Sequence, residues 1–497
     1  MIQLYGAYWM RSWLKQLGLC VAGICYVGAN SNRARKMEVS RYIVTHKITE
    51  SEYLTINTVT GAVDIVDSNV HGFLKGLSTL DEAKIDSITL DRLANRGYLI
   101  KDRESELLAL NKLISILSKR HKRLSITVCP TYSCNFRCTY CFEGNTTNSS
   151  ELRLTESDIS VVFSAIDELL KKFGDRETSI ELFGGEPFLP NVKGFTTALL
   201  GESELRGLPV RIVTNGFNIR LFEHELKKYS STIKIVQITL DGPADIHNSR
   251  RKLAGGQPTF DVICSSIDFL LSIGIKIALR MNVDNQNISS IPELVEIFKS
   301  KGWLDDGNFK YSMAPVQDHS FSGQYEHFLP EDILVDKMLK LIELHPEIES
   351  GFGLNMFKPI AYIKSVISGD RMIPPMANHC EANYLENLVF GPDGHIYACT
   401  ECINNPTMAI GRFIPKLSFN NENLEMWNNR SIRRISKCMD CDIAFFCGGG
   451  CAYSALSVNG NIDDPVCNNA HKTIDTYLDF LGKQLSIKSK QTQTVST

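Results

Sequence analysis

The chain has 497 residues, 43% of them hydrophobic and 22% charged, with a net charge of −3. That length supports several domains and a large core, and the near-neutral balance gives nucleic acid no electrostatic footing as main partner. Fifteen cysteines are too sparse for a disulfide scaffold, and they are unevenly placed: four lie between 129 and 141 and eight between 380 and 467, spacings that suit metal ligation.

Residues 1–36 contain "LGLCVAGICYVGA" after Arg11 and Lys15, which reads like the apolar part of a signal peptide. It is short for a bilayer span. Two readings stand: a start assigned too early, with Met37 as the working start, or an N-terminal membrane contact. A chain of many metal-ligand thiols favours the first and a cytoplasmic location, with no membrane partner. Over 37–118, "YLTINTVTGAVDIVD" alternates like a hairpin, and "SITLDRLANRGYLIKD" reads as a helix stopped by Gly97 and followed by a short strand. Together these suggest a winged-helix-like module. Its weakly basic helix favours peptide capture at a sheet edge over DNA.

From 119 to 330 apolar runs alternate with amphipathic helices. Strands are expected at 124–128, 178–182, 209–213, 233–240, 275–283 and 308–313. Repeated βα units imply a parallel sheet, and six are too few for a closed eight-unit barrel. The expected fold is therefore α/β, an open partial (βα)6 TIM-like barrel, with functional groups at the C-terminal strand ends. Residues 331–375 read as a helical connector, 376–470 as a cysteine-rich domain, and 471–497 as a helix with a disordered tail from about 484.

Just after the first of these strands comes "CNFRCTYCFEGN", with Cys134, Cys138 and Cys141 at spacing C-x3-C-x2-C. Structural zinc wants four ligands, whereas an iron–sulfur cube on three thiolates leaves one iron free for a small molecule. Gly184, Gly185, Glu186 and Pro187 ("GGEP") end the second strand. The glycines let the backbone approach a ligand, Glu186 can accept from an ammonium group, and Pro187 fixes the turn. With Tyr140 beside the last cysteine, these motifs resemble the radical S-adenosylmethionine (SAM) enzymes. The resemblance implies a 4Fe–4S cluster on Cys134, Cys138 and Cys141 that chelates SAM, with Tyr140 near the adenine. "VTNG" (213–216) and "ITLDGPADIHNSRR" (238–251) look like the peptide-modifying branch, in which Thr239 and Arg251 contact SAM. Asp241 and His247 read equally as pocket residues or as turn and capping residues. Arg280 and Asn282 alternate toward the same pocket or a polar core end.

The later cysteines begin with Cys380 and, after the turn "GPDG", Cys399. Cys438-x2-Cys441-x5-Cys447-x3-Cys451 and Cys467 follow. This spacing is similar to the SPASM extension of radical SAM enzymes and implies two auxiliary 4Fe–4S clusters. By that resemblance Cys438, Cys441, Cys447 and Cys467 hold one, and Cys380, Cys399 and Cys451 the other. Some relatives supply a further cysteine where this chain has Pro374. That site is then either open to a substrate thiolate or closed by the extra Cys402. Cys129 and Cys264 read as packed core residues, and Cys20 and Cys25 match no motif.

The resemblance implies reductive cleavage of SAM to a 5′-deoxyadenosyl radical, fed by flavodoxin or ferredoxin. That radical abstracts hydrogen from a ribosomal precursor peptide, with a Cys thioether as the expected product. Two alternatives stand beside it. One is an anaerobic sulfatase-maturating enzyme, whose members carry Asp where this chain has Thr400. The other is a non-catalytic iron–sulfur carrier, which would have no use for "GGEP".

Overall fold

A computed structural model of the chain describes residues 2–3, 37–118, 123–144, 151–174, 176–320, 323, 325–368, 373–467 and 469–494. The apolar run at 17–29, with Cys20 and Cys25, lies outside them.

Three antiparallel strands lie side by side in the N-terminal unit: β1 (Ile43–Lys47), β2 (Glu52–Asn57) and β3 (Val63–Asp67), in that spatial order. The β2–β3 turn forms because Asn57 accepts from the amides of Val59 (3.0 Å) and Thr60 (2.9 Å). Ile2–Gln3 pair with β3 at the far edge. Helix α1 (Ser68–Leu74) is capped by Asp67 and α2 (Ser87–Asn95) by Asp86. The expected stop of α2 falls at Arg96 and Gly97, whose φ of +82° only glycine adopts freely. Asp64, fully buried beneath this corner, is paired with Arg96 and accepts from the Tyr98 hydroxyl at 2.7 Å. Helix α3 (Arg103–Ser118) leads out of the unit.

Six parallel strands follow in simple chain order: β4 (Arg123–Val128), β5 (Glu177–Leu182), β6 (Val210–Thr214), β7 (Ile233–Thr239), β8 (Ile277–Val283) and β9 (Phe309–Pro315). The crossovers run through α4 (Ile159–Lys172), α5 (Lys193–Leu205), α6 (Glu223–Lys228), α7 (Ala244–Arg250), α8 (Phe260–Ser272) and α9 (Ile291–Ser300). Strand alternation divides the sheet by chemistry. Leu124, Ile126, Val128, Ile180, Leu182 and Ile212 are wholly buried in the core. Their neighbours Arg123, Ser125, Glu177, Glu181 and Arg211 face the other way and line a cavity. The sheet therefore has one apolar face and one polar, concave face.

The cysteine-rich segment does not stand apart from this sheet. Strand β10 (Asn387–Phe390) pairs in parallel with β4, and β11 (His395–Tyr397), β12 (Gly411–Arg412) and β13 (Ser418–Phe419) continue antiparallel, giving an open mixed sheet of ten strands. The expected hairpin at "GPDG" is β10–β11, with Gly394 at φ +79°. Helices α10 (Glu331–Leu344) and α11 (Lys358–Ser368) form the connector, and α12 (Ala470–Thr494) packs along α10 and against β1. The tail expected to lose order near 484 continues as helix, since 483–494 is rich in Lys and Gln and lacks Gly and Pro. No helix among the described residues is long and apolar enough to cross a membrane.

Candidate functional site

The loop leaving β4 carries the three cysteines, and two devices shape it. The segment Phe136–Cys138 pairs antiparallel with Arg251–Leu253, a register that sets Arg251 directly opposite Cys138. The Cys141 amide then donates to the Cys138 carbonyl at 3.3 Å, folding the pair into one tight turn. Burial raises the pKa of Cys134, Cys138 and Cys141, the last to about 12, where Cys138 and Glu143 add to the effect. Thiols so placed ionise only with a cation to bind them, as a metal centre provides.

The end of β5 is laid against this loop. Gly185 donates to Thr131 O (3.1 Å) and Glu186 to Ser133 O (2.9 Å). A Cβ at Gly184 would stand 2.3 Å from Cys129 Sγ, and one at Gly185 would stand 2.3 Å from the carbonyl oxygens of both Tyr132 and Ser133. The two glycines thus serve the approach of chain to chain, in addition to bordering the cavity. Cys129 is packed and fully buried, as is Cys264 to within 2%. Pro187 is not part of the cavity wall; its carbonyl accepts from Thr196 on α5 at 3.0 Å.

Glu186 is 1% exposed. Its carboxylate accepts from the amides of Phe188 (2.8 Å) and Asn215 (2.7 Å) and from the Thr214 hydroxyl (2.7 Å). Burial raises its pKa against those three bonds. Asn215 also donates to Asn135 at 2.8 Å, tying the "VTNG" end of β6 to the cysteine loop.

Across the cavity stands a closed polar network. The Tyr140 hydroxyl donates to Asp241 and accepts from Arg251 (2.7 Å) and Asn282 (3.0 Å). Asp241 also accepts from the Asn282 amide (3.0 Å) and lies 3.5 Å from Arg250 Nε. It is fully buried, and α7 is entered through Pro243, so Asp241 is neither a turn nor a capping residue. His247 Nδ1 accepts from the Asp241 amide (3.2 Å) and Nε2 meets Thr259 (3.1 Å). This histidine supports the network from behind and does not line the cavity. Arg280 donates to Asn282 at 2.8 Å, and both line the cavity, as does Thr239 at the end of β7.

These groups enclose one cavity of ≈ 370 Å³, walled by Cys134, Cys138, Cys141, Tyr140, Gly184, Gly185, Glu186, Thr239 and Arg251. The sequence scatters them over more than a hundred residues. Arg251 is buried, and its Nε has no partner among the described residues. A guanidinium N–H buried beside a cavity calls for an anionic acceptor, so the site fits a ligand with a carboxylate. The chemistry of the donor set thus fits a cluster on three thiolates beside an amino-acid-like cofactor. The wall also holds Glu143, two residues beyond Cys141 on the cysteine loop, together with His319, Thr400 and Glu401. Glu143 is 7% exposed, its Oε1 lacks a partner among the described residues, and burial with nearby Glu401 lifts its pKa to about 8.

Among the remaining cysteines, Cys438, Cys441, Cys447 and Cys467 are neighbours, as are Cys380 and Cys399, and Cys399 and Cys402. Burial, with smaller contributions from the thiols of Cys447 and Cys467, raises Cys438 to about 12 and Cys441 to about 11. Gly448, Gly449 and Gly450 all have positive φ (70°, 88°, 69°), turning the Gly449 and Gly450 amides toward Cys447. Buried Arg430 clamps that loop by donating to the carbonyls of Gly449 (2.6 Å), Gly450 (2.9 Å) and Ile462 (2.6 Å). Burial and neighbouring Cys399 push Cys380 to about 12. Cys399 is in thiol contact with Cys402. Burial pushes Cys451 up, but hydrogen-bonded His319 outweighs it and brings the thiol down to about 7. Cys380, Cys399 and Thr400 border a second cavity of ≈ 740 Å³ on the polar face of the sheet, and Thr400 lines both cavities.

Residues 128–298 match the family described as the Radical SAM superfamily, and over this span the chain is a radical SAM domain. That family uses a 4Fe–4S cluster and SAM. The chain is similar to the radical SAM cyclopropyl synthase TigE of Paramaledivibacter caminithermalis, 22% identical over 86% of this chain and 92% of that one. It is also similar to a cysteine-type anaerobic sulfatase-maturating enzyme of Clostridium perfringens, 23% identical over 66% of this chain and 88% of the relative. Among solved structures, native anSMEcpe with bound AdoMet shares the fold at a TM-score of 0.55 and 20% identity, covering 73% of this chain and 97% of that one. Streptococcus suis SuiB does so at 0.50 and 16%, covering 86% and 97%.

Proposed function

We propose that this chain is a cytoplasmic radical SAM/SPASM peptide maturase. Bound at Cys134, Cys138 and Cys141, the cluster would supply the electron that cleaves SAM to methionine and a 5′-deoxyadenosyl radical able to take hydrogen from an unactivated carbon. The observation that carries this reading is the single cavity in which the cysteine loop, Glu186 and Arg251, whose Nε has no partner among the described residues, meet the wall formed by His319, Thr400 and Glu401. Arg251 holds the SAM carboxylate. Glu186, its oxygens already oriented by three donors, has acceptor capacity left for the ammonium group. Tyr140, pinned by three partners at its hydroxyl, keeps its ring fixed as a wall for the adenine. Thr239, Arg280 and Asn282 complete the rim. The substrate enters from the side of Glu143 and Glu401, so that a carbon of the peptide stands against the ribose with water excluded.

Cys438, Cys441, Cys447 and Cys467 are proposed to hold one auxiliary cluster, and Cys380, Cys399 and Cys451 the other. A low-potential flavodoxin or ferredoxin supplies electrons. The unit at 37–118 holds the precursor peptide by strand addition to its sheet. A carbon–sulfur bond to a peptide cysteine is the first product to seek. Carbon–carbon closure is the second reading, favoured by the alignment to a cyclopropyl synthase over 86% of this chain. Sulfatase maturation is supported less, since that alignment spans 66% and Thr400 stands where those enzymes carry Asp. Two structures of anSMEcpe contain peptides, which makes a peptide substrate chemically reasonable on this fold.

The test is anaerobic incubation of the reconstituted chain with SAM, a reductant and peptides encoded beside the gene. The expected result is 5′-deoxyadenosine with a peptide lighter by two hydrogens. Cys138→Ala should form neither; persistent SAM cleavage in that variant overturns the reading.

A further inference from the structure

Three Cys-x2-Cys pairs occur among the described residues, and all three adopt one turn. The second cysteine's amide donates to the first one's carbonyl: Cys141 to Cys138 at 3.3 Å, Cys441 to Cys438 at 3.3 Å, and Cys402 to Cys399 at 3.1 Å. Such a turn presents two thiols to one point. The first two pairs belong to cluster sets proposed above. The third has the same build with no role assigned to its second thiol. Cys402 is wholly buried, its thiol touches that of Cys399, and Cys399 lies beside Cys380. Position 374, the alternative source of a sulfur ligand, is proline.

We infer that Cys402 is the fourth ligand of the Cys380/Cys399/Cys451 cluster, which is thereby closed by the chain itself. This rests on the functional reading above and narrows it. A fully ligated cluster has no iron to offer a substrate thiolate, so a substrate cysteine is held in the cavity beside Glu143 and Glu401 and not on the auxiliary metal. The rival ligand is His319, which is hydrogen-bonded to Cys451. His319 also lines the first cavity, and the inference leaves it free to face substrate there.

The test uses the full-length chain, reconstituted without oxygen and reduced, with 2-mercaptoethanol as the probe thiol. Electron paramagnetic resonance and Mössbauer spectra follow the auxiliary clusters, and iron per chain is counted. In the wild type the auxiliary signals should not move as thiol is added. In Cys402→Ala and Cys402→Ser, either one auxiliary signal becomes thiol-responsive or one cluster's iron is lost. In both variants the SAM-induced shift of the other cluster should persist, which shows that the fold survives. The inference is overturned by a wild-type auxiliary signal that responds to thiol, by a wild type with no auxiliary cluster, or by Cys402 variants with unchanged iron and spectra. It is also overturned if His319→Ala, and not the Cys402 variants, opens the cluster. Formation of 5′-deoxyadenosine, measured on the same samples, reports separately on the parent reading.

Discussion

At position 185 there is no room for a methyl group. Its Cβ would meet two backbone oxygens at 2.3 Å, and neither belongs to a flexible side chain. Gly185→Ala must therefore push the end of β5 off the cysteine loop, breaking the bonds from Gly185 to Thr131 and from Glu186 to Ser133. We expect a loss of about 1–3 kcal/mol, with iron missing from the three-cysteine site. Urea denaturation and iron analysis check both, and a fully loaded variant with an unchanged midpoint would refute the steric argument. Tyr140 poses a different problem, because its hydroxyl joins an acid, a guanidinium and an amide in one buried knot. Tyr140→Phe leaves Asp241, Arg251 and Asn282 each short of a partner. The cost should be about 1–3 kcal/mol, with weaker SAM binding as Arg251 turns to Asp241. Isothermal titration of SAM into the reconstituted variant measures the second effect; an unaltered affinity would mean that Tyr140 does not position Arg251.

The short helix α7 shows how an element outside the cavity controls it. It carries His247, Arg250 and, one residue on, Arg251. Burial, then the positive charges of Arg251 and Arg250, hold the His247 pKa well below its usual value. Neutral in the fold, this ring takes up a proton once the chain unfolds below about pH 6.5. Its contribution to stability is therefore complete above that pH and falls as the pH drops, by about 1.4 kcal/mol per unit. His247→Asn keeps an acceptor near the Asp241 amide and removes the titration. Urea midpoints at pH 7.5 and 5.5 should differ less in that variant than in the wild type, and an equal difference would place the acid sensitivity elsewhere. Elements of this kind set what could be read from sequence. The six parallel strands were legible because Ile, Val and Leu alternate with polar residues, and the first site was legible because cysteines and "GGEP" follow strand ends. The pairing of β10 with β4 was not, since nothing local records a partner more than 250 residues away. Nor was the Glu143–Glu401 wall, which exists only after that pairing brings Glu401 over the cavity. Asn215 could have been found, lying inside the quoted "VTNG". For Asp241 the local pattern "DGP" left the turn and pocket readings equally open, and only its burial under Tyr140 and Arg250 sets it in the polar network.

On the scale of the molecule, the N-terminal unit touches the cysteine-rich segment at a telling place. Tyr42 donates to the carbonyl of Met439 (3.0 Å) and Thr58 to that of Asp442 (2.8 Å), the residues that flank Asp440 and Cys441. Tyr42 also packs edge-on against Phe445 at 5.2 Å, and Tyr362 of α11 donates to Thr58 O at 3.4 Å. The turn that presents Cys438 and Cys441 is thus braced from outside by a unit far away in sequence. Deleting 37–118 would confuse two effects, loss of peptide capture and loss of this brace. The double variant Tyr42→Phe, Thr58→Val separates them, because it removes both bonds and leaves β1–β3 in place. Each lost bond to these part-buried carbonyls costs about 1 kcal/mol, spent locally on the turn. The expected result is faster release of iron from one auxiliary cluster to an anaerobic chelator, with peptide affinity and the SAM-binding cluster unaffected. Equal release rates in variant and wild type would show that the cysteine turn stands without the N-terminal unit. If peptide affinity fell instead, the unit would be coupled to capture through these contacts and the two tasks would not be separable.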